Sequence, residues 1–197
     1  MKRLKEEEFN QEWITFRENF TKAGLDKFVN PDDLLTAMKQ SAAGLSEDTG
    51  VAYPGGLLVH INLLVPIAQR IAKMISGTFS VSDESVIKVC LLQHLSKIEM
   101  FIPNDNQWEI DKRGMNYKFN ENLEGCLKFG ERSAFNAIST GVPMTPIEYE
   151  AMRCMDKDSE ETRNGRWTAN ILTTIVRQAN ELAYAIEKKR WENENNK

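Results

Sequence analysis

From Gly56 onward the apolar residues Leu57, Ile61, Leu64, Ala68, Ile71 and Ile75 step by 4, 3, 4, 3 and 4, the interval that holds side chains on one stripe of an α-helix. A stripe of this length has to be buried against other elements, so the chain is predicted to organise around a helix over about 57–76. His60 shares the face of Leu64, Ile67 and Ile71 and is directed inward. Gly77 closes the segment, and Ser82-Asp83-Glu84 opens the next with a capping hydroxyl and acids in the first turn. A second helix is therefore expected over about 83–101, with Val86, Val89, Cys90 and Gln93 along its inner side.

The flanking segments carry the same signature. Phe9, Trp13, Phe16 and Phe20 place four aromatics on one stripe of an N-terminal helix, which reads first as core packing. Asn30 before Pro31 starts a short helix, and the glycines between 41 and 56 mark a loop. Alternation around Asp111-Lys112-Arg113-Gly114 predicts a β-hairpin near 108–119. Helices are expected from Gly130 to about Ser139 and from the capping box Thr145-Pro146-Ile147-Glu148. A long amphipathic helix over about 165–190 carries Trp167, Ile171, Ile175, Val176, Ala179, Leu182, Ala183 and Ile186, with a frayed tail over 191–197. The expected fold class is all-α with one small β-hairpin, in a single domain over 1–197: an N-terminal helical extension to about 40 and a core over 55–190.

Composition removes several function classes. Lys plus Arg number 25 against 29 Asp plus Glu, so there is no general electrostatic footprint for nucleic acid. No apolar region follows the basic start Met1-Lys2-Arg3, and no later stretch is read as bilayer-spanning, so a cytoplasmic location is expected, or one inside a particle. Cys90, Cys126 and Cys154 have no C-x-x-C spacing and indicate neither a disulfide framework nor a zinc knuckle. No nucleophile elbow, phosphate-cradling loop or dinucleotide fingerprint occurs.

One constellation remains. Gly55-Gly56-Leu57-Leu58-Val59-His60 is followed by Leu91-Leu92-Gln93-His94-Leu95-Ser96-Lys97, then Lys128-Phe129-Gly130-Glu131-Arg132-Ser133, Arg153-Cys154-Met155-Asp156 and Ala179-Asn180-Glu181-Leu182-Ala183. In order and spacing these segments resemble the HD superfamily of metal-dependent phosphohydrolases, in the branch found in gut bacteria and their phages. The resemblance implies that His60, Gln93, His94, Phe129, Met155 and Asn180 line the former metal pocket. It also implies that Lys97, Arg132 and Arg153 stand where the family has basic residues, able to contact a phosphate.

The departures fall on the chemistry. The family's paired His-Asp reads Gln93-His94, its later histidines read Phe129 and Met155, and its last Asp reads Asn180. Carboxylates neutralise a divalent cation while its bound water becomes a nucleophile, and both are missing. Catalysis, a metal and a cofactor are therefore not expected. His60 and Gln93 are expected to form a hydrogen-bonded polar pair that fills the cavity, although His60 and His94 could hold Zn²⁺ or Ni²⁺ weakly. Asp156, Asp158, Glu160 and Glu161 read as a solvated acidic loop rather than replacement ligands.

Three functions are compatible with this pattern. The first is an inactive HD-like protein that binds a protein partner, or a nucleotide or phosphate in the old pocket. The second is an architectural component of a phage particle or other assembly, as a homo-oligomer, with the aromatic N-terminal helix and charged tail as contacts. The third is a phosphohydrolase with atypical ligands.

Overall fold

The computed structural model describes residues 4–155 and 170–195. Its centre is helix α3 (Gly56–Met74), packed against α1 (Glu6–Lys22), α4 (Asp83–Leu92) and the long C-terminal helix α9 (Ile171–Asn195). Short helices α2 (Leu35–Gln40), α5 (Lys97–Met100), α6 (Gln107–Arg113), α7 (Phe129–Ser139) and α8 (Pro146–Arg153) close the bundle. The molecule is thus mainly helical with a single small antiparallel strand pair among the described residues, as the periodicity predicts.

Of the predicted stripe, Leu57, Ile61, Leu64 and Ala68 are fully enclosed, as is Leu58, while Ile71 and Ile75 are half-buried against the core. This helix has the length and apolarity to cross a bilayer, contrary to the expectation that no stretch would, but its apolar face is spent on neighbouring helices. Phe9, Trp13, Phe16 and Phe20 are buried against it, with successive ring centroids 6.3, 5.3 and 5.6 Å apart. At about 1.5–3 kcal/mol per buried large apolar side chain, this stripe alone is a substantial part of the driving force. It also removes those rings from any surface role.

Helix ends follow local chemistry. The Glu8 carboxylate accepts from the Lys5 N–H, the Ser82 hydroxyl accepts from the Ser85 N–H, and Thr145 and Glu148 form the predicted reciprocal capping box at 2.8 and 3.2 Å. Asn30 caps as expected, although Pro31–Leu34 turns as a 3₁₀ segment before α2. Lys88 pairs with Glu148 at 3.0 Å and ties α4 to α8. At Gly130 a Cβ would meet the Met152 carbonyl oxygen at 2.0 Å, so the α7–α8 approach requires glycine there.

Three boundaries differ from the sequence reading. The segment predicted as a hairpin contains α6 instead: Asn106 accepts from the Glu109 N–H, and Gly114, at φ +62°, ends the helix with its N–H on the Ile110 carbonyl. Strand β2 (Tyr117–Phe119) then pairs with β1 (Phe101–Pro103), Phe101 opposite Phe119. The tail from Trp191 continues α9 through Asn195 rather than fraying. Trp167 and the acidic positions Asp156, Asp158, Glu160 and Glu161 lie outside the described residues.

The third difference shapes the site. The helix expected over 83–101 stops at Leu92 and resumes at Lys97, with a turn between. Ser133 of α7 bridges the break: its hydroxyl donates to the Gln93 carbonyl at 2.8 Å and accepts from the Ser96 N–H at 3.1 Å, inserting a side chain into the backbone ladder. Around it the bonds shift to the tighter i to i+3 pattern, Leu95 to Leu92, Lys97 to His94 and Ile98 to Leu95.

Candidate functional site

Three residues per turn stack His94 over Lys97 on one face of this segment, and Leu92, Leu95 and Ile98 on another. His94, rather than Gln93, is thereby aimed at α3. Its Nε2 lies 3.2 Å from His60 Nε2 and 2.9 Å from Asn180 Oδ1, and His60 Nε2 lies 3.1 Å from the same oxygen. The three atoms form a closed triangle where α3, the turn and α9 meet. The expected His60–Gln93 hydrogen bond is absent among the described residues. Gln93 is fully buried, yet neither its amide nitrogen nor its amide oxygen has a partner among them.

The other side of His60 faces Glu187, which the sequence reading missed. His60 Nδ1 is 2.9 and 3.2 Å from the two carboxylate oxygens. A carboxylate only accepts, so Nδ1 carries the proton and donates. His94 Nε2–H then serves the triangle, donating to Asn180 and His60, and His94 Nδ1 is left as a buried lone pair with no donor among the described residues. Burial, reinforced by the Lys97 charge and then by the neighbouring His60, holds the His94 imidazole well below its ordinary value of 6.5, with the Asn180 hydrogen bond offsetting part of the effect. Tyr53, raised to about 12 by burial and then by the Glu187 charge, stays a phenol.

Lys97 completes the cluster and balances its charge. The buried ammonium donates to the Ala43 carbonyl at 2.7 Å and to the Tyr184 hydroxyl, and lies 5.2–5.7 Å from the ring centroids of Tyr184, Phe101 and Phe129. The Tyr184 ring in turn packs on His60, with centroids 4.3 Å apart. One enclosed cation and one enclosed carboxylate thus sit at opposite ends of a continuous chain of contacts, Lys97–Tyr184–His60–Glu187.

The remaining sequence-predicted residues do not join this triangle. Phe129 packs on Phe101 and Phe119 on the far side of Lys97, and Met155 lies against α7 beside Gly130. Arg132 donates to the carbonyls of Glu124 and Gly125 and faces Glu99 at 3.6 Å; Arg153 faces Glu131 at 3.7 Å. Lys97, Arg132 and Arg153 are each engaged with protein groups and do not share one anion position.

The divalent cation that the resemblance implies can be tested against this donor set. Two neutral imidazole nitrogens and one amide oxygen converge, without an anionic ligand. The nearest carboxylate, Glu187, is bonded to the far nitrogen of the His60 ring. Among the described residues no three His, Cys, Asp or Glu side chains gather in ligand geometry. A hard cation such as Mg²⁺ or Mn²⁺ needs oxygen ligands and charge compensation, so the residues present do not fit it. His60 is 0%, His94 1% and Glu187 3% exposed, and Asn180 is half-buried. Comparison with protein-family models, with characterised proteins and with solved structures finds no match for this chain.

Proposed function

We propose that the protein is an inactive HD-like scaffold that acts by binding, its former metal pocket turned into a packed polar core. The observation that carries this reading is the closed triangle of His60 Nε2, His94 Nε2 and Asn180 Oδ1, with His60 Nδ1 turned to Glu187 and both histidines enclosed. The same closure disfavours a nucleotide or phosphate in that position, because Lys97 already serves Ala43 and Tyr184. A protein partner engaging the outer surface is the binding mode that remains. The purified chain is expected to hold no stoichiometric Mn, Fe, Ni, Zn or Mg and to hydrolyse neither nucleotides nor phosphomonoesters. One tightly held metal ion per chain, with hydrolysis abolished by His60→Ala, would overturn the proposal.

An architectural role is the second reading, and its earlier motivation changes. The N-terminal aromatics are core and so are not free contacts, whereas the tail through Asn195 is helical with Asn193, Glu194 and Asn195 exposed. The support comes instead from apolar pairs left in solvent, Phe135 with Ile138 on α7 and Leu182 with Ile186 on α9. Sedimentation velocity tests it: a discrete oligomer dissociated by Phe135→Glu supports an assembly role, and a monomer throughout opposes it.

A further inference from the structure

The turn that aims His94 at α3 presents its other face to a second space. Leu92, Leu95 and Ile98 line a cavity of about 230 Å³ with Phe20 of α1, the chain at Val29 and Leu34, and Ala137 of α7. None of the polar-cluster residues takes part. The polar groups that do take part are grouped on the Glu99 and α7 side: Glu99, Ser133, Asn136 and Thr140. Two of these are internally satisfied, Ser133 by the turn and Thr140 by the Ala137 carbonyl. Asn136 donates to Glu99 Oε1 at 2.8 Å, and Arg132 faces the same oxygen at 3.6 Å, which fixes the carboxylate at the mouth of the cavity, where it is 37% exposed.

An enclosed apolar cavity of about 150 Å³ stays dry in water and takes up benzene, and the pocket here is larger and open on one side. This larger one, apolar in its depth with a held carboxylate at its edge, suits a somewhat bigger ring system with one polar end. We infer that it is a binding site for a small, mainly apolar molecule of about bicyclic size that carries a single hydrogen-bond donor, its body against Phe20, Leu92, Leu95 and Ile98 and its donor on Glu99 Oε2. The site goes beyond the binding role proposed above and does not depend on it, because it shares no residue with the polar cluster. A failure here therefore leaves the metal and hydrolysis experiment untouched.

The test is titration of the full chain with indole, followed by methyl NMR. Saturable shifts are expected at Val29, Leu34, Leu92, Leu95, Ile98 and Val142, with none at Leu182 or Ile186 on the outer face of α9. Benzothiophene, of the same shape without the N–H, is expected to bind several-fold more weakly; equal affinity would overturn the donor assignment. Ala137→Leu fills the cavity and should weaken indole by about tenfold or more. If that variant does not fold, the native chain still decides. No shift up to the solubility of indole, or unsaturating shifts spread over the surface, would overturn the site.

Discussion

A buried imidazole that resists protonation makes stability depend on pH in a defined direction. The folded His94 takes a proton only well below its ordinary value of 6.5, whereas the unfolded chain takes it near that value. In the window between, the unfolded state binds more protons, so stability is full above about pH 6.5 and falls as the pH drops through the window, with a slope of up to about 1.4 kcal/mol per pH unit. Urea denaturation from pH 8 to pH 5 should show this slope, and His94→Asn should flatten it; an unchanged slope in the variant would place its origin elsewhere. At this scale the sequence was partly legible. His60 and Asn180 are where apolar phase and motif order put them, but Gln93 and His94 exchange roles because one residue of offset decides which side chain faces inward. Glu187 had a readable signal, since it continues the step Val176, Ala179, Ala183 along the buried stripe of α9. A carboxylate in phase with a core stripe is a candidate partner for a buried histidine.

At the scale of elements, the departures from periodicity share one origin in contacts between segments remote in sequence. The break after Leu92 is bridged by a hydroxyl 40 residues from Gln93, and we expect it to hold the turn in place. Nothing within 83–101 announces it, because the apolar pattern there is compatible with an uninterrupted helix. Removing that hydroxyl should be costly: Ser133→Ala leaves the Gln93 carbonyl and the Ser96 N–H buried without their partner, a loss of about 1–3 kcal/mol for each polar group stranded. Thermal and urea unfolding should register the loss, and hydrogen exchange at Ser96 should accelerate more than at Val89. A neutral Ser133→Ala would mean that the turn is dictated by its own sequence. The small strand pair is present but its expected turn is a helix, and this has the opposite lesson: Asp-Lys-Arg-Gly serves a helix end as well as a tight turn, because glycine in the left-handed region suits both. The cap at Asn106 decides between them.

At the scale of the whole molecule, three distant parts of the chain, α3, the turn after α4, and α9, bring one side chain each to a single point. That convergence provides a test of whether the resemblance to HD proteins extends to their metal site. Gln93→His, His94→Asp and Asn180→Asp together would place two carboxylates in the space beside His60, and calorimetry or a metal-dependent rise in melting temperature should then reveal binding of Mn²⁺, Fe²⁺ or Ni²⁺. A folded triple variant with no gain over the parent would indicate that the resemblance to HD proteins does not extend to the geometry of their site. The bundle was legible as a whole because its core stripes are long and in phase; the polar interior was not, because its partners are separated by up to 127 residues. The enclosure of Lys97 has a practical consequence. An amine shielded by Ala43 and by the rings of Phe101, Phe129 and Tyr184 can be acylated only when one of these neighbours moves away, so the rate at which a small acylating reagent labels Lys97, set against surface lysines such as Lys189, is a clock for how often the bundle opens around it.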